Sequence, residues 1–250
     1  MLYKEIDKLI EEIKTIEPMK DGQDFLQAMT DNNANAIKRI TTSDEEEDEK
    51  ALDLMLLSAG CISRLIVPLP DIINKLISEV KNPKTPSHIR CTIIGALAYF
   101  VQPHDLIPDD TKGGYGFIDD SVLIHATYIE LLYIKGEKDE LQACTNLSEL
   151  AAGVCPPEIL KPLATAVNGI TVGFQFFAKM PPEMLETTIR QIIANPYKTN
   201  AFNSIPEVPH QTIDGWKPYV NIKNAKGMSL EYSKGTFAAN FEDGSHIFVS

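Results

Sequence analysis

Along most of this chain apolar residues recur at steps of three and four, and only toward the end does the period shorten to two. Leu2, Ile6, Leu9, Ile13 and Ile16, separated by charged residues, predict a one-faced surface helix stopped by Pro18. Phe25 to Met29 and Ala34 to Ile40 predict two short helices joined by the polar stretch Thr30 to Asn33. Leu52, Leu56, Ala59, Ile62 and Ile66 mark the next helix. Ser43 and Glu46 form a capping box ahead of it, so the acidic run Asp44 to Glu49 reads as favourable charge at a helix N-terminus rather than as a separate acidic tail. Pro70 and Asp71 open another amphipathic helix that runs through Val80 and ends at Asn82-Pro83.

Two segments are apolar nearly all round. Cys91 to Val101, in a helix opened by Pro86 and Ser87, and Asp119 to Ile134 therefore predict buried helices forming the heart of the fold. Helical patterns continue over Asp139 to Ala152 and Pro157 to Val167, and Pro181-Pro182 opens a last helix through Leu185, Ile189 and Ile193. Ile170 to Phe177 carries β-branched and aromatic residues that suit a strand, but its place among helices favours a helix.

Beyond this the chemistry changes. Pro196, Pro206 and Pro209 among Asn and Ser mark a linker, and from Asp214 short alternating runs are broken by Asn224 to Gly227, Lys234-Gly235 and Asp243-Gly244. The predicted fold is mainly α, a multi-helix bundle with a buried helical hairpin at about 86–135, plus a small C-terminal antiparallel β-meander. Its divisions are a helical domain over 1–195, a linker over 196–212 and a meander over 213–250. Strands near Lys217 to Ile222, Met228 to Tyr232, Thr236 to Phe241 and His246 to Val249, anchored by Trp216, would have to cover one apolar face against the helices or a second subunit. Protein binding or self-association through that meander is the expected partnership.

Composition narrows the classes. With 250 residues, 44% hydrophobic and 23% charged, the chain can bury a core without staples. The net charge of −12 argues against nucleic acid and anionic lipid as partners, and leaves a cation, a basic protein or a neutral small molecule. The apolar stretches are read as too short or too interrupted to span a membrane, and the N-terminus lacks the pattern of a secretory signal, which points to the cytoplasm. Cys61, Cys91, Cys144 and Cys155 lack any C-x-x-C pairing and read as buried free thiols.

The richest chemistry lies between the two buried helices. Residues 97 to 120 read LAYFVQPHDLIPDDTKGGYGFIDD: an apolar helix, then Pro103, Asp105, Leu106, Ile107, Pro108 and Asp109, a glycine loop from Gly113 to Gly116, and paired Asp119 and Asp120 opening the next helix. This segment resembles the YkvA-like family of uncharacterised bacterial domains, in which a Pro-x-Asp-Leu-Ile-Pro-Asp turn and an Asp-Asp pair join two apolar helices. The chain departs from that pattern at His104, at Asp110 and in its longer glycine loop with Lys112. The resemblance implies a helical fold and supplies no reaction.

Two readings of the aspartates stand side by side. In the structural one, Asp105 and Asp109 accept backbone N–H groups in the turn, while Asp119 caps the following helix with Asp120 in its first turn. In the functional one, Asp105, Asp109, Asp119 and Asp120, with His104 and Asp110 as further candidates, hold a divalent Mg, Mn or Ca ion. A lone His125 on an apolar helix reads as a hydrogen-bonded core residue. The glycine loop lacks the context of a phosphate loop, and no catalytic constellation is evident. These features predict a non-enzymatic binding or regulatory protein. The alternatives are a metal-dependent enzyme, a hydrolase, using the aspartate cluster, and an acidic inhibitor or immunity-type protein covering a basic partner.

Overall fold

The computed structural model describes residues 1–32, 54–56, 58–102, 106–137, 154–155 and 157–198, together with three short strand segments beyond residue 228. Seven helices have defined bounds: α1 (Leu2–Ile13), α2 (Pro18–Asn32), α3 (Leu69–Lys81), α4 (Ser87–Tyr99), α5 (Ile118–Lys135), α6 (Pro157–Phe177) and α7 (Pro182–Ala194). A π-helical turn, Ile62–Ile66, precedes α3, and a 3-10 segment, Lys112–Phe117, leads into α5.

The sequence pattern explains the layering. α4 and α5 bury almost every side, so they need neighbours all round, and α4 packs against α3, α5, α6 and α7. α1 has one apolar stripe, buried through Leu2, Ile6, Ile10 and Ile13, and lies across α3, α4 and α7. Polar contacts fix the same packing. Arg90 of α4 donates to the Val80 carbonyl at the end of α3 (2.8 Å) and pairs with Glu186 of α7 (2.8 Å), which also accepts from Ser87 (2.6 Å). α5 is tied to α6 by Thr171 donating to Glu130 (2.7 Å), and to α3 by Lys75 donating to the Tyr128 hydroxyl (2.9 Å). Gly136, at φ 74°, closes α5 in the left-handed conformation, with Glu137 N–H returning to the Leu132 carbonyl.

Several boundaries differ from the expectations. The helix expected at Phe25–Met29 is part of a longer α2. Ile170 to Phe177 is helical and continuous with the helix from Pro157, because α6 lies against both α4 and α5. The acidic run at 44–49, the helices expected at 34–40 and 139–152, and Trp216 lie outside the described residues. The stretch Leu54–Lys81 is, by length and composition alone, apolar enough to cross a membrane, but 71% of its most apolar 18-residue window is buried inside the helical body, as befits a core element.

The expected C-terminal β-meander requires correction. The helical body contains no strand among its described residues. Beyond it the described residues comprise three strand segments of four or five residues, Ser229–Ser233, Thr236–Asn240 and His246–Val249, paired antiparallel in that order, while the strand expected at 217–222 lies outside the described residues. The physical reason is that a period of two indicates local extension, whereas a sheet layer also requires an apolar face left open to receive it. Among the described residues of the body the helices pack on one another with no sheet between them, and the fold class is mainly α.

Candidate functional site

The turn after α4 and the first turn of α5 meet because the glycine loop between them folds tightly onto its surroundings. Gly113 and Gly114 adopt φ 67° and 78°. A Cβ on Gly113 would lie 2.1 Å from the Phe25 nitrogen, and one on Gly116 would lie 2.5 Å from the Pro108 carbonyl oxygen. These close approaches dock the loop on α2 and bring the Pro108–Asp109 backbone against the start of α5. Tyr115, fully buried, completes the anchor by donating to the Val154 carbonyl (2.9 Å) and packing edge-on against Phe25 (5.3 Å between ring centroids).

Asp119 and Asp120 are then both 0% exposed. α5 begins at Ile118, with Phe117 as its N-cap and no side-chain cap, so Asp119 does not cap its own helix as expected. Its Oδ2 instead accepts from the Tyr99 hydroxyl and from the Leu106 N–H, each at 3.2 Å, binding the end of α4 and the following turn to α5. Ser121 donates to the Phe117 carbonyl.

Asp109 is half-buried beside this pair, and Asp110 is exposed. Among the described residues, Oδ1 of Asp109 and Oδ1 of Asp119 are buried without a hydrogen-bond partner. Burial raises the Asp109 carboxyl to about 6, helped by the charges of Asp119, Glu12 and Asp110 and opposed by a hydrogen bond with Asp120. Burial also raises Asp119 to about 6, against the hydrogen bonds it accepts from backbone and from Tyr99. The carboxylate of Asp119 in turn adds to the burial that pushes the Cys155 thiol up.

Of the predicted site residues, the structure brings Asp109, Asp119 and Asp120 together and leaves Asp110 on the rim, while His104 and Asp105 lie outside the described residues. No group of three or more His, Cys, Asp or Glu side chains among the described residues is arranged as metal ligands would be. His125 belongs to the core: it is buried, with Nε2 3.1 Å from the Leu65 carbonyl in the π-helical turn. Sequence reasoning missed Tyr99 and Glu12. A single hydroxyl near the end of an otherwise apolar helix was the available signal for Tyr99. Glu12 arrives from a distant helix, and nothing local announces it.

Among known families, a model described as a protein of unknown function (DUF1232) matches residues 89–126, which spans α4, the aspartate turn, the glycine loop and the first half of α5. The match covers the segment on which the family resemblance was read, and it does not carry the YkvA-like name. Comparison with curated proteins and with solved structures gives no match.

Proposed function

We propose that the chain is a non-enzymatic binding or regulatory module whose aspartate turn holds the helical hairpin in one conformation. The observation that supports this reading is the complete burial of Asp119 and Asp120. A carboxylate that acts on a substrate as acid, base or nucleophile must reach it within hydrogen-bond distance, and these two are enclosed by the turn, the glycine loop and α4. The hydrogen bonds of Asp119 run to Tyr99 and Leu106, groups of the scaffold itself. A YkvA-like relationship is part of the same proposal, and the order of the Pro108, Asp109, Asp119 and Asp120 elements supports it.

The test pairs an activity screen with partner capture. Purified chain is assayed against phosphate-ester, carboxylic-ester and peptide substrates with and without Mn²⁺, and tagged chain is used to retain proteins from its host at low and high salt. The expected result is no turnover that depends on the aspartates. Turnover abolished by Asp109→Asn would replace this reading with the metal-dependent hydrolase. One basic partner released by salt would narrow it to an acidic inhibitor.

A further inference from the structure

Pro68 and Pro70 follow the turn Ile62–Ile66, and each withholds a backbone N–H from the carbonyls before it. In an α register a carbonyl meets the N–H four residues on, so the prolines leave Arg64 and Ile66 without a donor in the ladder. In a π register the donor stands five residues on, and the carbonyls left over are those of Ser63 and Leu65. The prolines thus penalise the two registers alike. The rarer π form needs a reason from outside the segment.

The turn is in the π register, with the Val67 N–H donating to the Ile62 carbonyl at 2.9 Å. The Leu65 carbonyl, which this register strands and an α register would give to the Leu69 N–H, lies 3.1 Å from Nε2 of His125 on α5. His125 is 4% exposed, and its Nδ1 is buried without a hydrogen-bond partner among the described residues. A carbonyl can only accept, so Nε2 carries the proton and Nδ1 the lone pair. Burial keeps the ring from taking a second proton. The side chain therefore supplies one donor to one of the two carbonyls that the π register leaves bare.

We infer that His125 is a positioning residue that selects the π register of Ile62–Ile66 over the α register, making the turn a two-register element set beneath the glycine loop. The turn packs on α5, on α2 and on the segment Lys112–Phe117. Ile66 is fully buried there, and a Cβ on Gly114 would lie 3.3 Å from its Cδ1. A change of one residue in register rotates the turn relative to α3 by about 100°, so Ile66 cannot keep its place against Gly114. The bond from the middle of α5 to Leu65 is thus tied to the seating of the loop that brings Asp109 against Asp119. The inference goes beyond the module reading, because it concerns how α5 sets the loop and not what the module binds.

The experiment uses the full chain in three forms. In the parent, a long-range proton–nitrogen spectrum of the imidazole should place the proton on Nε2, and a proton on Nδ1 would overturn the inference. His125→Phe keeps a ring and removes the donor, whereas His125→Gln loses the ring and keeps an N–H. Crystal structures should show an α register in the Phe variant, with Leu65 bonded to the Leu69 N–H, and the π register in the Gln variant. Packing alone would give the reverse order, since Phe is the closer fit to the imidazole. Amide hydrogen exchange over Gly113–Gly116 should quicken by about tenfold or more in the Phe variant and not in the Gln variant. A π-turn that persists in His125→Phe, or an α register in His125→Gln, would sink the idea. Should His125→Phe not fold, the parent's tautomer and the register of His125→Gln decide.

Discussion

The hydroxyl of Tyr99, the last residue of α4, donates a 3.2 Å hydrogen bond to Oδ2 of Asp119, the second residue of α5. The two buried helices are thus joined by a side-chain bond at the end where the chain between them turns back. Tyr99→Phe deletes that donor while keeping the ring, and it leaves a buried carboxylate with one bond fewer. A loss of about 1–3 kcal/mol in unfolding free energy is expected, measured by urea denaturation. No change beyond about 0.5 kcal/mol would show that Asp119 is held by the turn backbone alone.

The loop glycines should separate by space rather than by conformation. Gly113 and Gly136 both have positive φ, but a Cβ at Gly136 meets nothing within 4 Å, whereas at Gly113 it meets the Phe25 backbone at 2.1 Å. Gly136→Ala should cost only the strain of a left-handed alanine, about 1–2 kcal/mol. Gly113→Ala has to push α2 away from the loop, and should prevent folding or cost more than about 4 kcal/mol. Gly116→Ala, with ordinary φ but a 2.5 Å approach to the Pro108 oxygen, should resemble Gly113. Thermal melts of the three variants rank them, and a Gly113→Ala protein as stable as Gly136→Ala would refute the docking of the loop on α2.

The hairpin was legible in the sequence because burial leaves a plain mark: Cys91 to Val101 and Val122 to Leu132 are apolar on nearly every side, and surrounding helices satisfy that. The placing of Asp109 and Asp119 at the same end of it followed from the short connection. What was not legible depended on neighbours distant in sequence. The helix starts at Ile118, so the carboxylate of Asp119 turns from its own helix to Tyr99 and Leu106, a difference of one residue that periodicity cannot resolve. Ile170 to Phe177 could be read either way until α4 and α5 were seen to lie against it. In the C-terminal stretch alternation was read as a packed layer, although the pattern speaks only for local extension.

Three thiols test the core independently of the site. Cys61, Cys91 and Cys155 are buried and free, and burial pushes each thiol up, Cys91 to about 11 and the others further. In a Cys144→Ser background, which removes a cysteine outside the described residues, none of the three should react with an aromatic disulfide reagent at pH 8 within minutes. All three should react in guanidinium. A native thiol titrating at once would place an opening in the core beside α4 or the π-helical turn.

The last prediction concerns two buried groups that pull stability in opposite directions with pH. His125 is held neutral, burial lowering it from 6.5 to about 4 against the favourable contact with the Leu65 carbonyl. Below pH 6.5 the unfolded chain takes up a proton on this residue that the folded chain refuses, so stability falls as pH drops toward 4, by as much as about 3 kcal/mol in all. Asp119 is raised from 3.8 to about 6, so its folded form gains a proton over the same interval while the unfolded form does not. Its contribution is fully present below pH 3.8 and is lost as pH rises through 6, with a total of about 3 kcal/mol at most. Asp109 acts in the same direction as Asp119, by less, because it is half-buried. Between pH 4 and 6 these slopes oppose, and with EDTA present the chain should show only a shallow change in unfolding free energy. Asp119→Asn removes one side of the balance. In that variant stability should fall on acidification across this interval more steeply than in the parent, by up to about 1.4 kcal/mol per pH unit. Parallel profiles for parent and variant would show that Asp119 carries no proton in the folded protein at pH 5.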